Sequence, residues 1–359
     1  MLFRSGLDGW GVQLTDKSST SPVSGEICST INNKPVVSTN SMYRYSKASS
    51  IDISNFNTSN VVNMNSMFYG SKATEIIGLE KLDTRNVTSM GNMFNGSKAK
   101  DLNLEYFNTS KVTVMDSMFA GASVTKLDLS SFDTSNVIKM QYMFNSSNVE
   151  PLDVSMLDTS KVTNMANMFS QAKTKTLIGL QNFDTRNVTT FGAMFMFSDV
   201  EYIDLTNFNT SNATTLENMF NNSHAKEVKG LTSFDTRKVT SMYSMFSNNS
   251  IELDLSSFDT SNVTDMSFMF SSSAVTTLNL SSFDTSKVTN MSWMFSSSAA
   301  TSLDLRSFDT SKVTNMMGMF SSSAATSLNL SSFDTSNVTD MRSMFVYSKA
   351  TKIKGLENF

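Results

Sequence analysis

A single cysteine, a single histidine and three prolines are all that the 359 residues hold of those types. With Cys28 alone, no intramolecular disulfide can form, and the fold must rest on packing. His224 as the only imidazole excludes multi-histidine metal sites and leaves one candidate for a histidine-based triad. Its setting, Ser223-His224-Ala225, reads as a surface turn. Three prolines and 14 glycines exclude collagen-like and proline-rich low-complexity sequence. Charged residues make up only 17% of the chain and the net charge is -4, so no basic stripe is evident and nucleic acid is not an expected partner. No stretch reaches the roughly 18 to 20 apolar residues of a membrane-spanning helix, so direct membrane insertion is not expected. The opening MLFRSGLDGWGVQLTDKSS also lacks the apolar run of a signal peptide.

Repetition is what the sequence has in abundance. Its clearest copies are LDLSSFDTSNVTDMSFMFSSSAVTT (Leu253 to Thr277) and LNLSSFDTSKVTNMSWMFSSSAATS (Leu278 to Ser302). The residue that opens the F-D/N-T motif falls at Phe56, Leu82, Phe107, Phe132, Leu157, Phe183, Phe208, Phe234, Phe258, Phe283, Phe308 and Phe333, with spacings of 24 to 26. A unit this short cannot bury its apolar face alone, whereas stacked copies can, so the spacing predicts a solenoid. Ile31 to Tyr43 aligns without gaps with Phe56 to Phe68, which places a degenerate copy first. The last residues, Gly355 to Phe359, stop inside a repeat, and a capping partner or self-association at that end is expected.

Three pieces make up each unit. V/A-x-x-L-x-L, as in Val275 to Leu280, alternates apolar and polar residues and predicts a very short strand, with stacked copies forming a parallel sheet. The S-S-F-D-T-S segment points its Phe inward, and its Asp or Asn with Thr suits a helix start. In V-x-x-M-x-x-M-F, as in Val263, Met266, Met269 and Phe270, offsets of 0, 3, 6 and 7 lie on one face of a short helix. The expected fold is thus an α/β repeat solenoid of leucine-rich-repeat-like coils, each a short parallel strand plus a short helix, with about 12 full repeats of about 25 residues. Residues 1–30 read as an N-terminal cap or attachment segment, and residues 31–359 as the solenoid, truncated within its last repeat.

The 27 methionines and 27 phenylalanines are accounted for by two Met and two Phe sites per coil. Methionine packs adaptably against aromatic edges, and without accompanying His or Cys the stripe is core rather than a copper site. Asp128, Asp153, Asp204, Asp254 and Asp304 recur at the centre of L-D-L, but Asn103, Asn279 and Asn329 replace them elsewhere, which argues against a calcium ladder. No cofactor is expected. A catalytic serine would need a base, and only the neighbourhood of His224 could supply one. The many Asn-x-Ser/Thr triplets read as turn formers.

The string L-D-L-S-S-F-D-T-S-N-V-T-x-M-x-x-M-F resembles the repeats of the BspA-like leucine-rich-repeat surface proteins, also found in mycoplasma lipoprotein-type arrays, and the resemblance spans about residues 31–359. It implies surface exposure, adhesion and binding of host proteins, and it carries over no activity residues. Ser273, Ser298 and Ser323 stand where many family members have Cys. Phe258, Phe283 and Phe308 stand where ordinary leucine-rich repeats place the asparagine of their ladder.

Positions that vary while the core stays constant are free to serve recognition. Between the paired methionines, large aromatics appear at Tyr142, Tyr243, Phe268 and Trp293, where other coils carry Ser, Gly, Ala or Asn. Stacking would bring Tyr243, Phe268 and Trp293 into one neighbourhood, and exposed aromatic clusters are common binding anchors. Covering the helix layer or packing on another subunit would use them equally well. The expected function is non-enzymatic recognition of a cell-surface protein or glycan, facing the exterior of a cell or virion. A phage or bacteriocin tail fibre and a structural spacer are the alternatives, with a hydrolase centred on His224 behind them.

Overall fold

The computed structural model describes residues 2–4 and 8–359. The chain winds through about 14 coils of about 25 residues and divides into two compact units, Met1–Phe183 and Asp184–Phe359. It is a β-solenoid, and no α-helix occurs among the described residues.

The V-x-x-M-x-x-M-F segments correct the expectation of a helix. In the first unit, the N–H groups of Met64, Ser66, Phe68 and Gly70 donate to Ser89, Gly91, Met93 and Asn95 of the next coil at 2.7 to 3.0 Å. Those of Met67, Tyr69 and Ser71 instead close on the carbonyls of Met64, Ser66 and Phe68, three residues back. A helix would send every amide four residues back along its own chain. Here alternate amides bond along the stack, and the rest close overlapping turns whose left-handed residues are Ser66 (φ 55°) and Gly70 (φ 62°). Neighbouring coils place Asn92 and Gly96, then Ser117 and Gly121, at the same two positions, all with positive φ. Ser, Asn and Gly tolerate that conformation and are poor helix formers, so the local sequence agrees with turns.

The inward columns are nevertheless those that the spacing requires. Val61, Met64, Met67 and Phe68 are fully buried, as are Val288, Met291, Met294 and Phe295 in the second unit. From Tyr43 through Phe68, Phe94, Phe119 and Phe144 to Phe169, successive rings stack with centroids 5.6 to 6.0 Å apart and planes within 8°. The second unit repeats the stack from Phe195 through Phe220, Phe246, Phe270, Phe295 and Phe320 to Phe345 at 5.8 to 6.1 Å. Parallel bridges from Ser38 to Asn164, and from Thr190 to Asp340, step one coil at a time along the methionine side of each unit.

The Asp/Asn-Thr pair is not a helix start either. In Phe-Asp-Thr-Ser turns the acid or amide accepts from the residue two positions on, as Asp133 Oδ1 does from the Ser135 N–H at 3.0 Å and its hydroxyl at 2.6 Å. The threonine is buried and bonds across coils. Thr260 Oγ1 donates to the Asp284 carbonyl at 2.8 Å and accepts from the Asp284 N–H at 2.9 Å. The same exchange links Thr58 to Asp83 and Thr310 to Asp334. This threonine ladder lies two residues beyond Phe258, Phe283 and Phe308, the site where an asparagine ladder would have been sought.

The strand side corrects the expectation of a continuous sheet. β1 (Leu2–Arg4), β2 (Trp10–Val12), β4 (Thr30–Ile31) and β5 (Lys34–Ser38) form one sheet in the order β1-β2-β5-β4, and β3 (Val23–Ile27), β6 (Ser50–Phe56) and β7 (Glu75–Ile77) form another in the order β3-β6-β7. Beyond these, strands pair only two by two: β8 (Leu152–Asp153) with β9 (Leu177–Ile178) in the first unit, then β10 (Tyr202–Asp204) with β11 (Glu227–Lys229) and β12 (Ser327–Asn329) with β13 (Lys352–Lys354) in the second. Each of β7, β9, β11 and β13 is followed by a glycine, Gly78, Gly179, Gly230 or Gly355, and a single 3-10 turn. These glycines belong to the 26-residue spacings, such as Phe56 to Leu82 and Phe208 to Phe234. Each has φ near 90°, and a Cβ there would lie 2.3 to 2.5 Å from the backbone of the preceding coil. The extra residue must be glycine because the chain reverses in the left-handed region while pressed against its neighbour. In 24- and 25-residue coils without it, Leu102 to Leu104 and Leu253 to Leu255 form no strand pair.

Candidate functional site

The turn geometry sets out the aromatic residues that vary between coils. Phe268 and Trp293 occupy the first left-handed position of their turns, with φ of 59° and 58°, where Ser66, Asn92, Asn167 and Asn218 stand in other coils. Tyr243 lies one position earlier in its coil, next to the left-handed Ser244. The three rings form a row in the second unit. Tyr243 meets Phe268 edge-on at 5.8 Å, and Phe268 stacks on Trp293 at 6.2 Å and 20°. All three are half-buried. Trp293 reaches over the following coil because Gly318 leaves room: a Cβ there would lie 2.4 Å from Trp293 Cε3. Exposed or half-buried Asn248, Ser272, Ser297 and Ser322 run beside the row, so the apolar faces have a hydroxyl and amide border.

Tyr142 belongs to the first unit and is not part of this row. It is 41% exposed and shares the left-handed position, with φ 59°. Next to it Gln141 donates to Asp116 Oδ2 at 3.4 Å, while Asp116 Oδ1 is buried without a partner. Burial pushes the Asp116 carboxyl above its ordinary range.

The other candidate chemistry resolves into structure. Asp128, Asp153, Asp204, Asp254 and Asp304 each accept from the residue two positions on, and Asn279 and Asn329 do the same. The interchange of Asp and Asn follows, since a turn needs only the shared acceptor oxygen. His224 Nδ1 lies 2.7 Å from Asp199 Oδ1 of the preceding coil, and its ring is exposed. Ser273, Ser298 and Ser323 are buried, and each hydroxyl accepts from the amide two residues on, as from Ala300 at 3.3 Å. Where strand pairing lapses, the surface opens: a groove of about 540 Å³ lies between Lys226–Thr232 and Ser250–Asp254.

A family model described as a Mycoplasma protein of unknown function, DUF285, matches residues 18–76, 71–177, 145–252 and 240–359. The chain belongs to the DUF285 family. No curated protein and no solved structure matches it. The matches overlap from residue 18 onward, so the DUF285 pattern takes in β3 and several coils at a time.

One cluster in this DUF285 chain was missed by sequence reasoning. Tyr45 and Tyr69 meet edge to face at 5.1 Å and 86°, and the Arg44 guanidinium carbon lies 5.1 Å and 5.0 Å from the two ring centroids. The hydrogen bond between the phenols lowers the Tyr45 pKa and raises that of Tyr69. The signal was available: Tyr45 holds the left-handed position that Gly70, Gly96 and Gly121 fill in the following coils. A reading confined to residues between the paired methionines passed over it.

Proposed function

We propose that this DUF285 solenoid is a non-enzymatic recognition module that binds a cell-surface protein or glycan through Tyr243, Phe268 and Trp293. One observation carries the reading: Phe268 and Trp293 hold bulky rings on left-handed backbone. Such a conformation costs on the order of 1–3 kcal/mol for a residue other than glycine. The buried Val, Met and Phe columns do not need these rings, because Ser, Asn or Gly fill the position in most other coils. Adjacent stacked aromatics on a rigid ladder suit a sugar face or an apolar side chain of a partner. Adhesion at the exterior of a cell, as in BspA-like surface proteins, is the use that fits such a module. Tyr142, on the same type of turn in the first unit, is a second and separate contact.

The test compares the wild type with a Phe268→Ser/Trp293→Ser variant on immobilised glycans and on intact cells. Attachment should fall by about tenfold or more, since each buried aromatic anchor contributes above about 1 kcal/mol. Circular dichroism and melting should stay unchanged. A folded variant that attaches as well as wild type would remove the aromatic row from the binding surface.

A further inference from the structure

Arginine is handled in one way almost throughout this protein. Arg85, Arg186, Arg237, Arg306 and Arg342 each grip the aspartate two positions earlier, with Nη2 2.6 to 2.7 Å from a carboxylate oxygen. Among the described arginine side chains Arg44 is the exception: its guanidinium lies against Tyr45 and Tyr69, and no described carboxylate pairs with it. Lys17 donates to the Ser41 carbonyl at 2.8 Å, and burial, then the Arg44 charge, holds its pKa below the ordinary lysine range.

A row of lysines adjoins this pair. The Lys47 N–H donates to the Lys17 carbonyl at 2.9 Å, Lys72 to Ser46 at 2.8 Å and Lys98 to Ser71 at 3.0 Å. Lys47, Lys72 and Lys98 therefore occupy one position in three successive coils, spaced by about 4.8 Å per coil. All three are exposed. Later coils carry Ser123, Ala274, Ala299 and Ala324 there, with Lys173, His224 and Lys349 only in scattered copies, so the fold does not require a cation. Like charges one coil apart repel, so this local file of cations is not a packing requirement of the acidic chain.

We propose that Lys17, Arg44, Lys47, Lys72 and Lys98, with the Tyr45 and Tyr69 hydroxyls, bind a linear sulfated polysaccharide. A single file of cations along the stack matches a linear polyanion, and a guanidinium fork not held by a carboxylate suits a sulfate group. The hydroxyls supply partners for sugar oxygens. A single-stranded nucleic acid fits less well, because the two rings meet edge to face under Arg44 and do not form a row of parallel platforms on which successive bases could stack.

Isothermal titration of the whole chain with a size-defined heparin oligosaccharide tests this. Binding should be measurable at low salt and weaken steeply as salt rises. Arg44→Gln/Lys72→Gln should lower the affinity by about tenfold or more, with circular dichroism unchanged. Lys312→Gln/Lys349→Gln, and separately Phe268→Ser/Trp293→Ser, should leave it intact, which separates this site from the aromatic row. Absence of binding, an equal loss in the Lys312/Lys349 control, or tighter binding to oligothymidylate or to phosphatidylserine vesicles than to heparin would overturn the proposal.

Discussion

Two kinds of residue hold the coils together: the phenylalanines and methionines of the inward columns, and the buried threonines that bond from one coil to the next. The buried phenylalanines and methionines announce themselves by recurrence. Phe283 is 3% exposed and packs against Phe270 at 6.5 Å, so Phe283→Ala should cost about 3–5 kcal/mol, read as a lower urea midpoint. A change within experimental error would take Phe283 out of the core. Threonine gives no such signal, because a buried hydroxyl looks like any other turn residue until its partner in the next coil is known. Thr260 donates to and accepts from a single residue, Asp284. Thr260→Val keeps the shape and leaves the part-buried Asp284 carbonyl and amide without their threonine partner, at a cost of about 1 kcal/mol, whereas Thr260→Ser should cost less. Equal stability of the valine and serine variants would show that the ladder contributes shape alone.

At the level of elements, the helix expected from V-x-x-M-x-x-M-F is a run of turns because inward residues at offsets of 0, 3, 6 and 7 suit both conformations. Burial periodicity cannot separate them. The discriminating signal lies on the outside, where Ser, Asn and Gly recur four residues apart at the left-handed positions, as in Ser66 and Gly70. The strand pairs were hidden for another reason: they follow the glycine of the 26-residue coils rather than the L-x-L pattern itself. Gly179→Ala should therefore strain the turn against Ser155 and release the β8–β9 pair. Hydrogen exchange at the Val154 amide, which donates to Ile178 at 2.9 Å, should accelerate, and unchanged protection would contradict the role given to Gly179. The aspartate turns set the response to acid. Hydrogen bonds from Arg306 and Arg342 hold Asp304 and Asp340 at about 2, below the ordinary 3.8, and Asp133, Asp254 and Asp334 are lowered by their serine partners. Depressed carboxylates stabilise the fold fully above their unfolded value and cease to do so as pH falls through the folded one. Stability should thus hold from about pH 7 to about pH 5 and decline between about pH 4 and pH 2. A decline already setting in near pH 6 by circular dichroism would contradict this account.

Across the whole molecule, the repeat period made the architecture legible, and the same period foretold that Tyr243, Phe268 and Trp293 would meet. The Arg44 cluster escaped because it depends on which charges find partners, a property of contacts rather than spacing. Contact between neighbouring coils carries the fold, so the stack should tolerate loss of a unit. Deletion of residues 278–302 should join Thr277 to Leu303 in register and give a folded protein whose far-ultraviolet circular dichroism per residue matches the wild type. An unfolded product would show that the coils are not interchangeable. The threonine ladder and the alternate amides that donate forward give this tolerance a genetic meaning. On the threonine and methionine sides each coil offers the same donors and acceptors to its successor, so an in-frame gain or loss of one repeat of DNA by unequal crossing-over leaves those hydrogen bonds with partners. Reach can then vary between strains by recombination, while surface residues such as Trp293 and Arg44 diverge separately by point mutation.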